Sequence, residues 1–294
     1  MSIFADNKLS RLNAKRMHYR AIQPHPRLAK YLECFWTLEG SSQPAAISPE
    51  AIMPDGCIEL IFNLADPFKR YHGNNKIEMQ PATLLAGQMQ RFAMIAPTGR
   101  VKLFGIRFHP GGAYPFLQLP LNELTDQIIN FENVANRLGR ELMEKIETAR
   151  SLRERLRIVE TVFLARLDSR YETARTVRAA VALMIQKDGM IPIERLQQIA
   201  GVSARQLERQ FQTQVGLTPK FFSRLLRFQK VFKAVTQNHN LGWSFIATEC
   251  GYYDQAHFIH DFKTFSGQNP VAYFREDHQM AEHFTRKKRI IISH

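Results

Sequence analysis

A stretch of about twenty residues occurs twice in the C-terminal part of the chain. "GVSARQLERQFQTQVGLTP" occupies residues 201–219 and "GYYDQAHFIHDFKTFSGQNP" residues 251–270. Leu196 and Gly201 match Ile246 and Gly251 at an offset of 50. One residue inserted in the second turn makes the offset 51, and at that offset Leu207 matches Phe258, Phe211 matches Phe262, Gly216 matches Gly267, Pro219 matches Pro270 and Phe222 matches Tyr273. Apolar and turn positions that hold one offset over so many places mark two copies of a single folding unit.

Each copy reads as helix–turn–helix. In the first, Pro192 opens a helix, as proline can at a first helical position. Ile193, Leu196, Ile199 and Ala200 then fall on one face. Gly201 and Val202 make the turn, and Ser203 is placed to cap the next helix by accepting a free backbone N–H. Leu207 and Phe211 sit four apart and face inward, and Gly216 suits the left-handed conformation that commonly ends a helix. In the second copy "WSFIATEC" is the first helix, Gly251, Tyr252 and Tyr253 form the turn, Asp254 is the cap, Phe258 and Phe262 face inward and Gly267 ends the unit. His257 and His260 lie close enough on that helix to share a face. With no third ligand beside them, structure rather than a metal site is expected. Between the copies "PKFFSRLLRFQKVFKAVTQN" reads as one long helix that fixes their separation. Two second helices held on one face can enter successive major grooves, about 34 Å apart along the duplex.

These positions together resemble the DNA-binding domain of AraC/XylS-type bacterial transcription regulators. The resemblance rests on Ser203, Leu207, Arg209 and Phe211; on Gly216, Pro219 and Arg227; and on Ile246, Ala247, Gly251, Tyr252, Asp254, Phe258, Phe262, Lys263, Gly267 and Pro270. The chain departs from the family at Gln197, where a small residue is common, and at His260, where arginine is common. The resemblance implies base contacts from Arg205, Glu208 and Arg209 in the first recognition helix and from Gln255, Ala256, Ile259 and His260 in the second. For Arg209 an internal structural contact is the alternative. Arginine can pair with guanine O6 and N7, glutamate with cytosine N4, glutamine with adenine, and apolar side chains with the thymine methyl. Ser203, Lys220, Arg224, Lys230 and Lys263 are the phosphate contacts implied, which position without reading sequence. For Lys230 and Lys233 a merely solvated helix face is favoured.

The first half reads differently. "YLECFWTLEG" (residues 31–40), "CIELIFNL" (57–64) and "VKLFGIRF" (101–108) are strand-like runs bounded by turn formers such as Pro54-Asp55-Gly56 and Pro97-Thr98-Gly99. A β-rich sandwich or barrel is expected over residues 1–170, ending in amphipathic helices. There Leu152, Leu156, Val159, Phe163 and Leu167 form one stripe, able to close the domain or to pair with a second subunit. The whole is therefore α+β, with a linker near 168–173, an all-helical DNA-binding domain over 173–276 and a basic tail over 277–294. "MPDGCIELIF" and "GIRFHPGGA" resemble the N-terminal segment of a poorly characterised AraC-type subgroup, and no ligand is carried over from it. Trp36, Phe62, Phe104, Arg107 and His109 are the candidate effector pocket, with core packing the favoured reading of the aromatics.

The net charge is +13. Residues 1–172 hold 23 Lys/Arg and 18 Asp/Glu, whereas 173–294 hold 17 and 9, so the basic excess is denser where the repeat lies. That balance fits a polyanionic partner. Cys34, Cys57 and Cys250 are scattered and odd in number, which fits a reducing compartment and no zinc motif. No signal peptide and no membrane-length apolar run is evident. GxSxG, HExxH, CxxC and glycine-rich phosphate loops are missing from the sequence. The expectation is a cytoplasmic regulator of transcription, not an enzyme, without cofactor or metal. It binds double-stranded DNA, with RNA polymerase, a small effector and a homodimer as further expected partners. The alternative is a first domain that only dimerises, and an enzyme with a fused DNA-binding domain is the less favoured one.

Overall fold

The computed structural model describes residues 17–41, 49–73, 76–134, 137–167, 175–237, 242–275 and 291–292. The N-terminal half carries strands β1 (His18–Ile22), β2 (Leu32–Ser41), β3 (Glu50–Ile52), β4 (Ile58–Asn63), β5 (Phe68–Tyr71), β6 (Ile77–Met79), β7 (Thr83–Ala86), β8 (Ala93–Pro97), β9 (Arg100–Phe108) and β10 (Ile128–Asn130). A seven-stranded sheet has the order β10-β7-β4-β9-β2-β1, with β11 (Ile291–Ile292) on its far edge, and a four-stranded sheet has the order β3-β8-β5-β6. The three runs singled out in the sequence are β2, β4 and β9, which lie side by side in the middle of the larger sheet. Both faces are covered, so most of their central side chains are apolar, with Glu59 of β4 and Arg107 of β9 buried as a charged pair.

Alternation along a strand sends successive side chains to opposite faces. On one face Phe35, Leu60, Phe62, Phe104, Ile106 and Phe108 pack against α1 (Tyr114–Leu117), α2 (Arg137–Thr148) and α3 (Leu152–Leu164). On the other face Cys34, Trp36, Leu38, Val101 and Leu103 meet Phe68 and Ile95 of the smaller sheet. The domain thus has three layers: small sheet, large sheet, helices. Leu156, Val159 and Phe163 of the α3 stripe are buried in the helix-side core, with Leu152 and Leu167 packed on its edge. The stripe closes the domain, which removes the observation that spoke for a subunit interface there.

The C-terminal half is helical, with α4 (Arg175–Gln186), α5 (Ile193–Ala200), α6 (Ala204–Val215), α7 (Pro219–Gln237), α8 (Trp243–Glu249), α9 (Gln255–Ser266) and α10 (Pro270–Tyr273). The expected linker at 168–173 lies outside the described residues. So does the basic tail, apart from Ile291 and Ile292, which pair in parallel with Ala21 and Ile22 of β1. Both units form as the repeat predicts. Ser203 Oγ accepts from the Gln206 N–H at 3.3 Å and Asp254 Oδ1 from the His257 N–H at 2.7 Å. Gly216 and Gly267 end α6 and α9 with φ of 91° and 79°. Leu207, Phe211, Phe258 and Phe262 are fully buried in one core with Phe222, Leu225 and Phe228 of α7. Two details differ from expectation. Pro192 is the extended residue before α5 rather than its first helical one. Ile199 points outward, half exposed, so α5 holds its place mainly through Leu196.

Candidate nucleic-acid interface

α6 and α9 each begin just after a glycine turn, so their N-terminal halves stand clear of the core. Arg205, Glu208 and Arg209 are all exposed on α6 and, with Ser203, Gln206 and Gln212, line an open surface groove. On α9 Gln255, Ala256 and His260 are exposed and Ile259 is half buried against the core. Gln255 Oε1 accepts from Ser244 Oγ at 2.6 Å, which ties the start of α9 to α8. The structure therefore brings the two sets of base-contact candidates onto the N-terminal faces of two equivalent helices.

The phosphate candidates divide. Ser203 caps α6, while Lys220 and Lys263 are exposed. Arg224 is otherwise engaged: its Nη2 and Nε bind Asp261 Oδ1 and Oδ2 at 2.6 and 3.3 Å, and Asp261 is only 1% exposed. This pair holds α7 to α9, so Arg224 is corrected from a phosphate contact to an internal tie. Lys230 donates from Nζ to the Glu249 carbonyl near the end of α8, where a cation also suits the helix dipole. It too is a structural contact. Lys233 pairs with Asp188 at 2.9 Å on the surface.

His257 is explained by its neighbours, whereas His260 is exposed. The His257 ring meets the edge of Tyr252 at 5.3 Å, and its Nε2 lies 3.8 Å from Asp261. Burial pushes the Tyr252 hydroxyl well above its usual pKa, with Asp261 adding to the shift, so the phenol stays neutral. Burial also moves the Cys250 thiol up to about 12. Among the described residues no group of three or more His, Cys, Asp and Glu is placed to hold a metal ion.

The proposed effector pocket does not assemble. Trp36 lies in the core between the sheets, whereas Phe62 and Phe104 stack at 6.0 Å on the opposite face. Arg107 is spent on Glu33, Asp55 and Glu59, and half-buried His109 follows the end of β9, its backbone N–H on the Tyr31 carbonyl. The helix-side core instead holds a partly open, water-sized cavity of about 30 Å³ walled by Leu60, Phe108, Phe116, Phe131, Leu142 and Phe163.

Sequence reasoning did not find how the N-terminal domain sits on the helical one. Thr125 Oγ1 donates to the Gly216 carbonyl at 2.6 Å, and the Leu121 backbone lies against the same glycine. Phe92 lies against Gly267, where an added Cβ would come within 2.7 Å of its ring. Met53 enters the helical core, and Gln229 Nε2 of α7 donates to the Pro54 carbonyl at 2.9 Å. The first domain therefore grips the C-terminal ends of both α6 and α9 and the helix between them, and leaves their N-terminal faces open.

Residues 20–130 match a family described as a domain of unknown function, and residues 196–276 match the family described as helix-turn-helix domain. An uncharacterized HTH-type transcriptional regulator of Haemophilus influenzae is 28% identical over 160 residues, 54% of this chain and 51% of that protein, so the chain spans about half the length of this relative. Among solved structures, ToxT from Vibrio cholerae superposes with a TM-score of 0.43 at 9% identity over 82% of this chain and 98% of its own. ToxT with bound unsaturated fatty acid gives 0.41 at 10% identity, covering 89% and 95%. The AraC-like activator CuxR gives 0.27 at 11%, covering 71% and 79%. By these family matches residues 196–276 form a helix-turn-helix domain, the kind expected from the chain's resemblance to AraC/XylS-type regulators, and residues 20–130 belong to a domain family of unknown function.

Proposed function

We propose that the chain is a cytoplasmic regulator of transcription that places α6 and α9 in successive major grooves of its operator and works there on RNA polymerase. The observation that carries this reading is the pair of equivalent helices with exposed N-terminal faces, one bearing Arg205, Glu208 and Arg209, the other Gln255, Ala256, Ile259 and His260. A buried aromatic core and the α7 helix hold them apart. The 19 residues of α7 span about 28 Å at 1.5 Å each, a length suited to bridging two grooves. The test is in vitro selection of bound duplexes by the purified protein as salt is raised. Enrichment of sites with two base-specific segments one helical turn apart is expected; failure to enrich any such site would sink the reading.

The finer part of the proposal is that the first domain senses a small effector. The supporting feature is its grip on Gly216, Gly267 and α7, through which a change of its shape reaches both recognition helices. The water-sized cavity is far below the roughly 300–1,000 Å³ of a ready small-molecule site, so an effector has to open the domain to enter it. The walls are apolar, which favours an apolar effector.

Two side chains separate base readout from backbone grip. Arg205→Ala is expected to cost about 1–3 kcal/mol on the selected site and to relax base preference at one position. Selection with the variant checks it. Lys263→Ala is expected to weaken binding to all sequences alike and to lower the slope of log affinity against log salt by about one unit. Titrations at several salt concentrations measure that slope.

A further inference from the structure

The two units differ in length by one residue, inserted in the second turn. Gly201-Val202 leads straight to the cap Ser203 in the first unit, whereas Gly251 and Tyr252 are followed by Tyr253 before the cap Asp254. Tyr252 takes the inward place: it is buried, with Phe258 at 5.4 Å and the Arg227 guanidinium over its ring at 5.7 Å. Tyr253 is the extra residue, and its side chain is 92% exposed. It is the most exposed of the large apolar side chains described, whereas Tyr252, Phe258 and Phe262 beside it are buried. A tyrosine carries an apolar ring and a polar tip, a combination suited to a surface that is apolar on one side and wet on the other.

We propose that Tyr253 is a positioning residue of the DNA interface, its ring on a deoxyribose and its hydroxyl donating to a phosphate at the edge of the groove that α9 enters. The inference rests on the DNA-binding reading above. A recognition helix meets base edges with its N-terminal residues, so the residue just before its cap lies beside the sugar–phosphate wall. Phosphate oxygens commonly accept from tyrosine as well as from basic side chains. The first unit has no counterpart, so the grip falls on the second half-site alone and fixes the register of the whole domain from one end.

Because tyrosine is uncharged, its contact releases no counterion and leaves the salt slope unchanged. Binding to the selected site is measured for wild type, Tyr253→Phe and Tyr253→Ala over a range of salt, with melting temperatures alongside. The expected result is about a tenfold loss for the alanine variant and a smaller loss for phenylalanine, which keeps the ring. Both keep the wild-type slope and melting temperature, and ethylation of one phosphate flanking the second half-site ceases to interfere in both. Wild-type affinity in Tyr253→Ala, or a slope lowered by a full unit, overturns the proposal. Failure of the wild-type protein itself to select a site would instead count against the parent reading.

Discussion

Replacing Arg107 by methionine is expected to destabilise the protein by about 3–5 kcal/mol, the cost of leaving buried charge without its partner. Arg107 rises from β9 with a side chain only 7% exposed and serves three carboxylates at once. Its Nε meets Glu33 Oε2 at 3.0 Å, Nη1 meets Glu59 Oε1 at 2.5 Å, and Nη2 meets Asp55. Burial opposes the guanidinium's charge, but Asp55, with Cys57, Glu33 and Glu59, outweighs it and raises its pKa. Methionine matches the length and removes the charge, so three acidic groups are left facing one another on β2, β4 and the turn before β4. The effect should spread. Asp55 Oδ1 also accepts from the Cys57 N–H at 3.1 Å, and the next residue, Gly56, lies against Phe222 of α7 and takes a hydrogen bond from Gln88 at 2.8 Å. Loss of the cation therefore loosens the turn that docks the first domain on the second. A lowered melting temperature and faster amide exchange in α7 around Phe222 are the expected readings. A variant that melts with wild type would show that the cluster is not held by its arginine.

What the sequence disclosed follows from how far apart the interacting residues lie. Helix caps are local, so Ser203, Asp254, Gly216 and Gly267 were readable from a few neighbours each. The repeat made them firmer, since each position was seen twice. The strands were readable as runs but not as faces. In β9 Val101, Leu103, Phe104, Ile106 and Phe108 are all buried, because a helix layer covers one side and a second sheet the other. A strand buried on both faces loses its apolar–polar alternation. Trp36 and Phe104 therefore read as lining one pocket, although they belong to opposite layers. Strict counting along β2 would have separated Trp36 from Phe35, but it could not pair either with a residue of β9 without the register. The grip of the first domain on Gly216 and Gly267 had no signal, because both glycines were already explained as helix ends. Met53 likewise reads as part of a strand-and-turn motif, yet it completes the core of the other domain.

Arg224→Ala should separate two roles that the sequence could not tell apart. On α7 the residue is one of several basic side chains, and a phosphate contact is the natural reading of such a face. In the structure it spans 37 residues to Asp261 with two hydrogen bonds, and its guanidinium lies 5.4 and 5.6 Å from the rings of Phe221 and Phe265. The hydrogen bond to Asp261 raises the Arg224 pKa against the effect of its partial burial. Asp261 sits at 1% exposure, and His257 Nε2 lies 3.8 Å from it. Alanine at 224 thus strands a buried carboxylate, and a loss of about 3 kcal/mol is expected, near the low end for a broken buried pair because the arginine side is 28% exposed. Adding Asp261→Asn to the same chain removes the stranded charge and should restore part of the stability. A phosphate contact predicts the reverse pattern: unchanged melting, and a salt slope lower by about one unit. Thermal melts and salt titrations of the single and double variants distinguish the two. If the slope falls while the melting temperature holds, Arg224 grips DNA and the tie between α7 and α9 is incidental.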